Sequence, residues 1–159
     1  MSIAGMVIVL NGPIEGRQFG VSQQLQQLLP IPFNALGLEV LQKEFISQPQ
    51  RSKQELLSFK NSAYILGLNA AISGMARRGC NMIVDHTLLN HADYEALREL
   101  LTGLDVIWVA LRNDKKTALY ENIPYDLSIF TDELNDQDIA RNIVDYLQRS
   151  EEHTSELSH

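Results

Sequence analysis

Four stretches of this chain carry side chains able to do chemistry on a bound ligand. The longest reads NGPIEGRQFG, Asn11 to Gly20, and stands between an apolar run and a helical pattern. A strand, a glycine-containing turn and a helix, in that order, let backbone amides converge on a phosphate. Such a loop needs glycines for close approach, a lysine for the outer phosphates and a Ser or Thr hydroxyl for magnesium. The candidate cradle is Gly12, Pro13, Ile14, Glu15, Gly16, Arg17, Gln18 and Phe19. It has glycines, but its one cation is Arg17, and Gln18 and Phe19 bring neither charge nor hydroxyl. Glu39, Asp85 and Arg112 complete the set, each near the end of an apolar run. Beside such a loop, two carboxylates and a guanidinium are groups placed to meet a bound ligand.

Only a sheet with its strand ends on one side brings such distant positions together. Met6 to Asn11 (MVIVLN) is continuously apolar until Asn11, the pattern of a strand buried on both faces. Val21, Leu25, Leu28 and Leu29 then recur at helical spacing until Pro30. Phe33 to Leu38 is a short second strand. Ile65, Leu68, Ile72 and Met75 mark one face of a long helix ending near Gly79. Met82 to Asp85 is a third strand, Asp93 to Leu101 a helix, Asp105 to Leu111 (DVIWVAL) a fourth strand and Asp126 to Phe130 a fifth. A last helix runs from about Asp136 to Leu147, opened by Asn135. Strands alternating with helices predict an α/β fold, a parallel sheet covered on both faces with its ligand at the carboxyl ends of the strands.

At these residues the chain resembles a known family. The VLNG segment with its loop, helix and Leu29-Pro30, FNALGLE, RRGCNMIVDH, LDVIWVALRND and IPYDL follow in order the pattern of chloramphenicol phosphotransferases. The resemblance spans nearly all of residues 6 to 148. It implies a three-layer P-loop nucleotide-kinase-like fold with a five-stranded parallel sheet, and transfer of the ATP γ-phosphate to a hydroxyl. It also implies departures. The family's loop has glycine, lysine and serine where this chain has Arg17, Gln18 and Phe19. Glu39 stands at the aspartate that deprotonates the acceptor hydroxyl, the plain alternative being a solvent-facing glutamate at a helix start. Asp85 stands at the acid ending the third strand, where carboxylates hold magnesium or its waters. His86 replaces a second acid and reads as a polar strand-end residue, and Arg112 reads as a nucleotide contact or the partner of a surface acid. Between Asp114 and Pro124 a longer, arginine-bearing lid is reduced to KKTALYENI, with Lys115 and Lys116 as a solvated pair, and the segment from Gln42 to Leu56 is also shorter. The expectation is a degenerate kinase with impaired or absent phosphoryl transfer, serving as a ligand-binding or regulatory module; the alternative is an active phosphotransferase on a small hydroxylated molecule.

Bulk properties narrow the partners. With 159 residues, 45% hydrophobic and 21% charged, the chain has the makings of one folded domain rather than a disordered segment. A formal net charge of -7 argues against a nucleic-acid footprint, which needs a basic stripe to displace counterions. Small-molecule ligands or proteins are the expected partners. The single cysteine, Cys80, allows no internal disulfide, and neither a signal peptide nor a membrane span is read, so the expected location is cytoplasmic. Residues 1–148 are read as the domain. Residues 149–159, RSEEHTSELSH, back-translate into a run resembling a sequencing-library adapter and are expected to be a non-native tail.

Overall fold

The structure, a computed structural model, describes residues 4–13, 16–39, 53–113 and 122–157. Five strands, β1 (Met6–Asn11), β2 (Asn34–Gly37), β3 (Met82–His86), β4 (Asp105–Arg112) and β5 (Leu127–Phe130), form one sheet in the order β2-β3-β1-β4-β5. All four strand pairings are parallel. Among the described residues the helices given at full length are α1 (Gln18–Leu28), α2 (Lys53–Arg77), α3 (His91–Leu100) and α4 (Asp136–Leu157). This is the α/β architecture that the alternation of apolar runs predicts.

The apolar continuity of β1 has a direct cause in its central place. Val7 and Val9 face one layer with Leu68, Ile72 and Leu97, while Ile8 and Leu10 face the other with Val21, Leu25, Ile139 and Ile143. Every one of these side chains is nearly or wholly removed from water. A strand with both faces covered has no position for a polar residue before its end. Asn11, the last residue of β1, is its first polar one, buried and still paired with His86 and Ala110.

Helix boundaries follow local chemistry. Before α3, the Asn90 side chain accepts from Asp93 N–H at 2.9 Å while Asp93 Oδ2 accepts from Leu89 N–H at 2.9 Å, a reciprocal cap. Before α4, Asn135 Oδ1 accepts from Asp138 N–H at 2.8 Å. In α1, Gln18, Val21, Ser22 and Leu25 are the buried positions, one helical stripe. Its start carries no side-chain cap.

Two expectations about the helices change. The buried stripe of α2 runs through Leu68, Asn69, Ile72, Ser73 and Ala76, and Met75 lies off it, 36% exposed. At 3.6 residues per turn, the step from Ile72 to the core falls on Ala76, one residue later. Helix α4 continues ten residues past Leu147 to Leu157. No Gly or Pro interrupts residues 148–157, so nothing in the local chemistry stops it.

Candidate functional site

The loop from Asn11 to Arg17 joins the carboxyl end of β1 to the start of α1, and the Gln18 side chain folds back into it. Gln18 Nε2 donates to Pro13 O and His86 O, both at 3.0 Å. It also lies 3.5 Å from Thr87 Oγ1. Two carbonyls on one side fix which end of the carboxamide is nitrogen. The oxygen, Oε1, is buried and has no hydrogen-bond partner among the described residues. The two loop glycines close over this group: a Cβ on Gly12 would stand 2.7 Å from Gln18 Cδ, and one on Gly16 would overlap Oε1. Two backbone bonds also hold the loop, Gly12 N–H to His86 O at 3.3 Å and Gly16 N–H to Pro13 O at 2.9 Å. Ile14 and Glu15 lie outside the described residues.

Arg17 is engaged away from the loop's interior. Its Nη2 lies 2.8 Å from Asp136 Oδ1, its Nε donates to the same oxygen at 3.0 Å, and its Nη1 donates to Thr131 O at 2.8 Å. The cation of the loop is thus spent on joining the start of α1 to the start of α4. Phe19 follows in the first turn of α1, and its carbonyl accepts from Ser22 Oγ at 2.6 Å.

At the neighbouring strand ends, β2 and β3 bring Glu39 and Asp85 together. Asp85 is 4% exposed, and its Oδ2 accepts from the Glu39 backbone N–H at 2.9 Å. Gly37 pairs with Asp85 in the sheet register, and a Cβ at Gly37 would overlap both the Asp85 carboxylate and its backbone carbonyl. A carboxylate this buried therefore depends on a neighbour with no side chain. Gly37→Ala is expected to destabilise the fold by about 3 kcal/mol, because the backbone carbonyl cannot move aside as a side chain can. Urea unfolding of the variant beside the parent measures this.

His86, read from sequence as a polar strand-end residue, turns into the protein. Its Nδ1 accepts from Thr87 N–H at 2.9 Å and its Nε2 stands 3.0 Å from Asn69 Oδ1 on α2. Because a backbone N–H can only donate, the proton of the neutral ring is on Nε2. Burial pushes the pKa from 6.5 down to about 4. Arg112 ends β4, with its guanidinium carbon 5.5 Å from the centre of the Phe130 ring, and Thr131 donates twice to the Arg112 carbonyl.

Two residues assigned no role from the sequence tie these parts together. Asn11 Nδ2 donates to Tyr125 Oη at 2.6 Å, and Asn11 Oδ1 accepts from Leu88 N–H at 2.7 Å. A fully buried asparagine thus joins the loop, the segment after β3 and the segment before β5. The signal was available: a polar residue closing an otherwise apolar strand must satisfy its amide locally.

The residues present can be tested against the groups that the chemistry would need. The Gln18 carboxamide packs against both loop glycines, Gly12 and Gly16. Magnesium would need a hydroxyl at the start of α1, where Phe19 stands, although Asp85 is placed at the adjoining strand end. The described residues contain no group of three or more His, Cys, Asp and Glu side chains arranged to hold a metal ion. Among the described residues, Gln18 and Phe19 bring neither an ammonium nor a hydroxyl to the start of α1, while Asp85 offers a carboxylate at the adjoining strand end. No helix among the described residues is long and apolar enough to cross a membrane.

Sheet order, loop and strand-end carboxylates define a P-loop kinase fold. Solved structures with the same fold include the APS kinase of Mycobacterium tuberculosis in complex with AMPPNP and APS, at TM-score 0.67 and 15% identity, covering 91% of this chain and 98% of that one. The gluconokinase of Sinorhizobium meliloti superposes at TM-score 0.62 and 12% identity over 100% of both chains. Shikimate kinase of Acinetobacter baumannii in complex with shikimate gives 0.58 and 12%, covering 94% of this chain and 96% of that one. No curated protein sequence matches the chain. The family model for chloramphenicol phosphotransferase-like proteins matches residues 5–123, and the chain belongs to that family.

Proposed function

We propose that this member of the chloramphenicol phosphotransferase-like family has lost efficient phosphoryl transfer and acts as a ligand-binding or regulatory module. The observation that carries this reading is the loop itself. Gln18 and Phe19 stand where transfer chemistry calls for an ammonium and a hydroxyl, and Gln18 is hydrogen-bonded into the cradle at Pro13 O and His86 O. Arg17, the remaining cation of the described loop, is held by Asp136 and Thr131. Losing one preorganised charge-stabilising group commonly costs about 100- to 1000-fold in rate, and here two are replaced.

A second reading has one observation in its favour. The Asp85 carboxylate accepts from the Glu39 backbone N–H, so the two residues lie side by side at the strand ends, which supports an ATP-dependent O-phosphotransferase with Glu39 as base and Asp85 at magnesium. The acceptor would then be a small hydroxylated molecule, and Arg112 would face the nucleotide.

Isothermal titration of the full chain with Mg-ATP separates the two, beside ATP consumption in the presence of a panel of small alcohols. The first reading expects no heat of binding at millimolar nucleotide and no turnover above the uncatalysed background. Magnesium-dependent binding with turnover would overturn it in favour of the second.

A further inference from the structure

Helix α2 departs from the rule that a surface helix turns charged or polar side chains to water. In α4 that rule holds, with Asp138, Arg141, Asn142 and Asp145 exposed. The run from Asn61 to Ala76 in α2 includes no charged residue. Its inward stripe, Leu68, Asn69, Ile72, Ser73 and Ala76, is buried. Its outward face presents Ala63, Gly67, Ala70 and Ala71 to water beside half-buried Gly74, flanked by Leu66, 54% exposed, and Met75. Glycine inside a helix weakens it relative to alanine. Yet nothing in the described chain calls for one at 67, since no atom stands within 4 Å of a Cβ there. At Gly74 the nearest is Arg78 Nη1 at 3.7 Å, the end of a flexible side chain that donates to Gly74 O. The two missing side chains leave room for another helix to come close.

We infer that the outward face of α2 is the contact surface of a two-fold dimer of this chain. Symmetry points to a second copy as the occupant, because a two-fold contact needs a patch that complements itself. Gly67 and Gly74 are equally far from the midpoint of Ala70 and Ala71, and so are Leu66 and Met75. With two copies of α2 antiparallel and the axis at that midpoint, Leu66 lies level with Gly74 of the second copy, and Met75 level with its Gly67. Each large side chain thus meets a missing one. Charge points the same way. A chain of formal net charge -7 repels its own copies over much of its surface, and this face adds no like charge to the contact. A strongly basic partner would be met by acidic side chains, and residues 61–76 hold none. Alanine and glycine bring little area, so one such helix pair stays below the roughly 1,200 Å² at which stable complexes begin, and the dimer is a weak one. On its inward side the same helix carries Asn69, 3.0 Å from His86 at the end of β3, so the contact lies behind the candidate site. The dimer does not depend on whether the chain transfers phosphate.

Sedimentation equilibrium of the full chain, from about 10 μM to about 1 mM, tests this without any variant. The parent is expected to pass from monomer towards dimer with a dissociation constant of about 100 μM. A parent that stays monomeric throughout overturns the dimer and leaves the face to a different protein. Gly67→Leu fills the space kept for the second copy while meeting nothing in its own described chain. It is expected to weaken dimerisation at least tenfold, with a urea midpoint at or above the parent's, since leucine favours a helix over glycine. Unchanged dimerisation in a folded Gly67→Leu overturns the choice of face. Cysteine cross-linking in a Cys80→Ser background reads the arrangement. Under mild oxidation Ala70→Cys is expected to join to its own copy across the axis, whereas Ala63→Cys, about 22 Å from its copy, is not. Equal cross-linking of the two overturns the antiparallel pairing.

Discussion

Gln18→Lys combined with Phe19→Ser is expected to raise the affinity for Mg-ATP by about 100-fold or more over the parent chain. The ammonium of a lysine at 18 can reach the carbonyls of Pro13 and His86, both now 3.0 Å from Gln18 Nε2, and still has hydrogen to give a phosphate oxygen. A serine at 19 supplies the hydroxyl that magnesium takes at the start of the first helix. Hydrogen bonds to charged groups contribute about 2 kcal/mol each, and two of them amount to a factor of the order of several hundred to a thousand. Calorimetric titration of the double variant beside each single one measures the gain. An affinity unchanged from the parent would mean that residues 17–19 do not occupy the places of the family's glycine, lysine and serine.

The second large effect belongs to His86 and is a dependence on pH. In the native chain burial holds this ring neutral down to about 4, while the unfolded chain takes up the proton at 6.5. Between those values the unfolded state binds one more proton than the native state, so the native state loses ground as pH falls. The loss is complete below about 4, where both states are protonated. Carrying the ring from 6.5 to about 4 corresponds to about 3 kcal/mol. The excess stability of the parent over His86→Gln is therefore expected to shrink by about 3 kcal/mol from pH 7 to pH 4, as read from urea midpoints along the series. A constant difference would mean that the ring takes its proton inside the fold, despite Thr87 N–H pointing at Nδ1.

The parts of the fold that were legible in the sequence are those in which burial is continuous. MVIVLN and DVIWVAL have no polar interruption because β1 and β4 lie inside the sheet, and Asn135 marks the start of α4 because its side chain caps locally. Glu39, Asp85 and the loop could be listed as a group because an all-parallel sheet gathers the residues that follow its strands. What could not be read was where polar side chains turn once they arrive. Arg17 meets Asp136, a partner 119 positions away, and His86 meets Asn69 across two layers of structure. Neither pairing leaves a periodicity or a spacing behind. Met75 shows the same limit on a smaller scale, since a helix face read from four residues slips by one position when the true stripe includes Asn69 and Ser73. The fold-back of Gln18 was equally hidden, because it depends on the carbonyl of His86 arriving from another strand.

The central place of β1 also bears on how the chain is made. Its partners are Met82–His86 on one side and Asp105–Arg112 on the other, so β1 is made before either and has no neighbour until some seventy further residues have followed it. At synthesis rates of roughly 5 to 20 residues per second, that is an interval of roughly 4 to 15 seconds. Throughout it, an uncharged segment with Val7, Ile8 and Val9 at its centre, residues of high strand propensity, lacks its neighbours. A segment buried from Val7 to Asn11 in the finished molecule is thus open to misassociation in the nascent one, where chaperones that recognise short apolar segments would find a target.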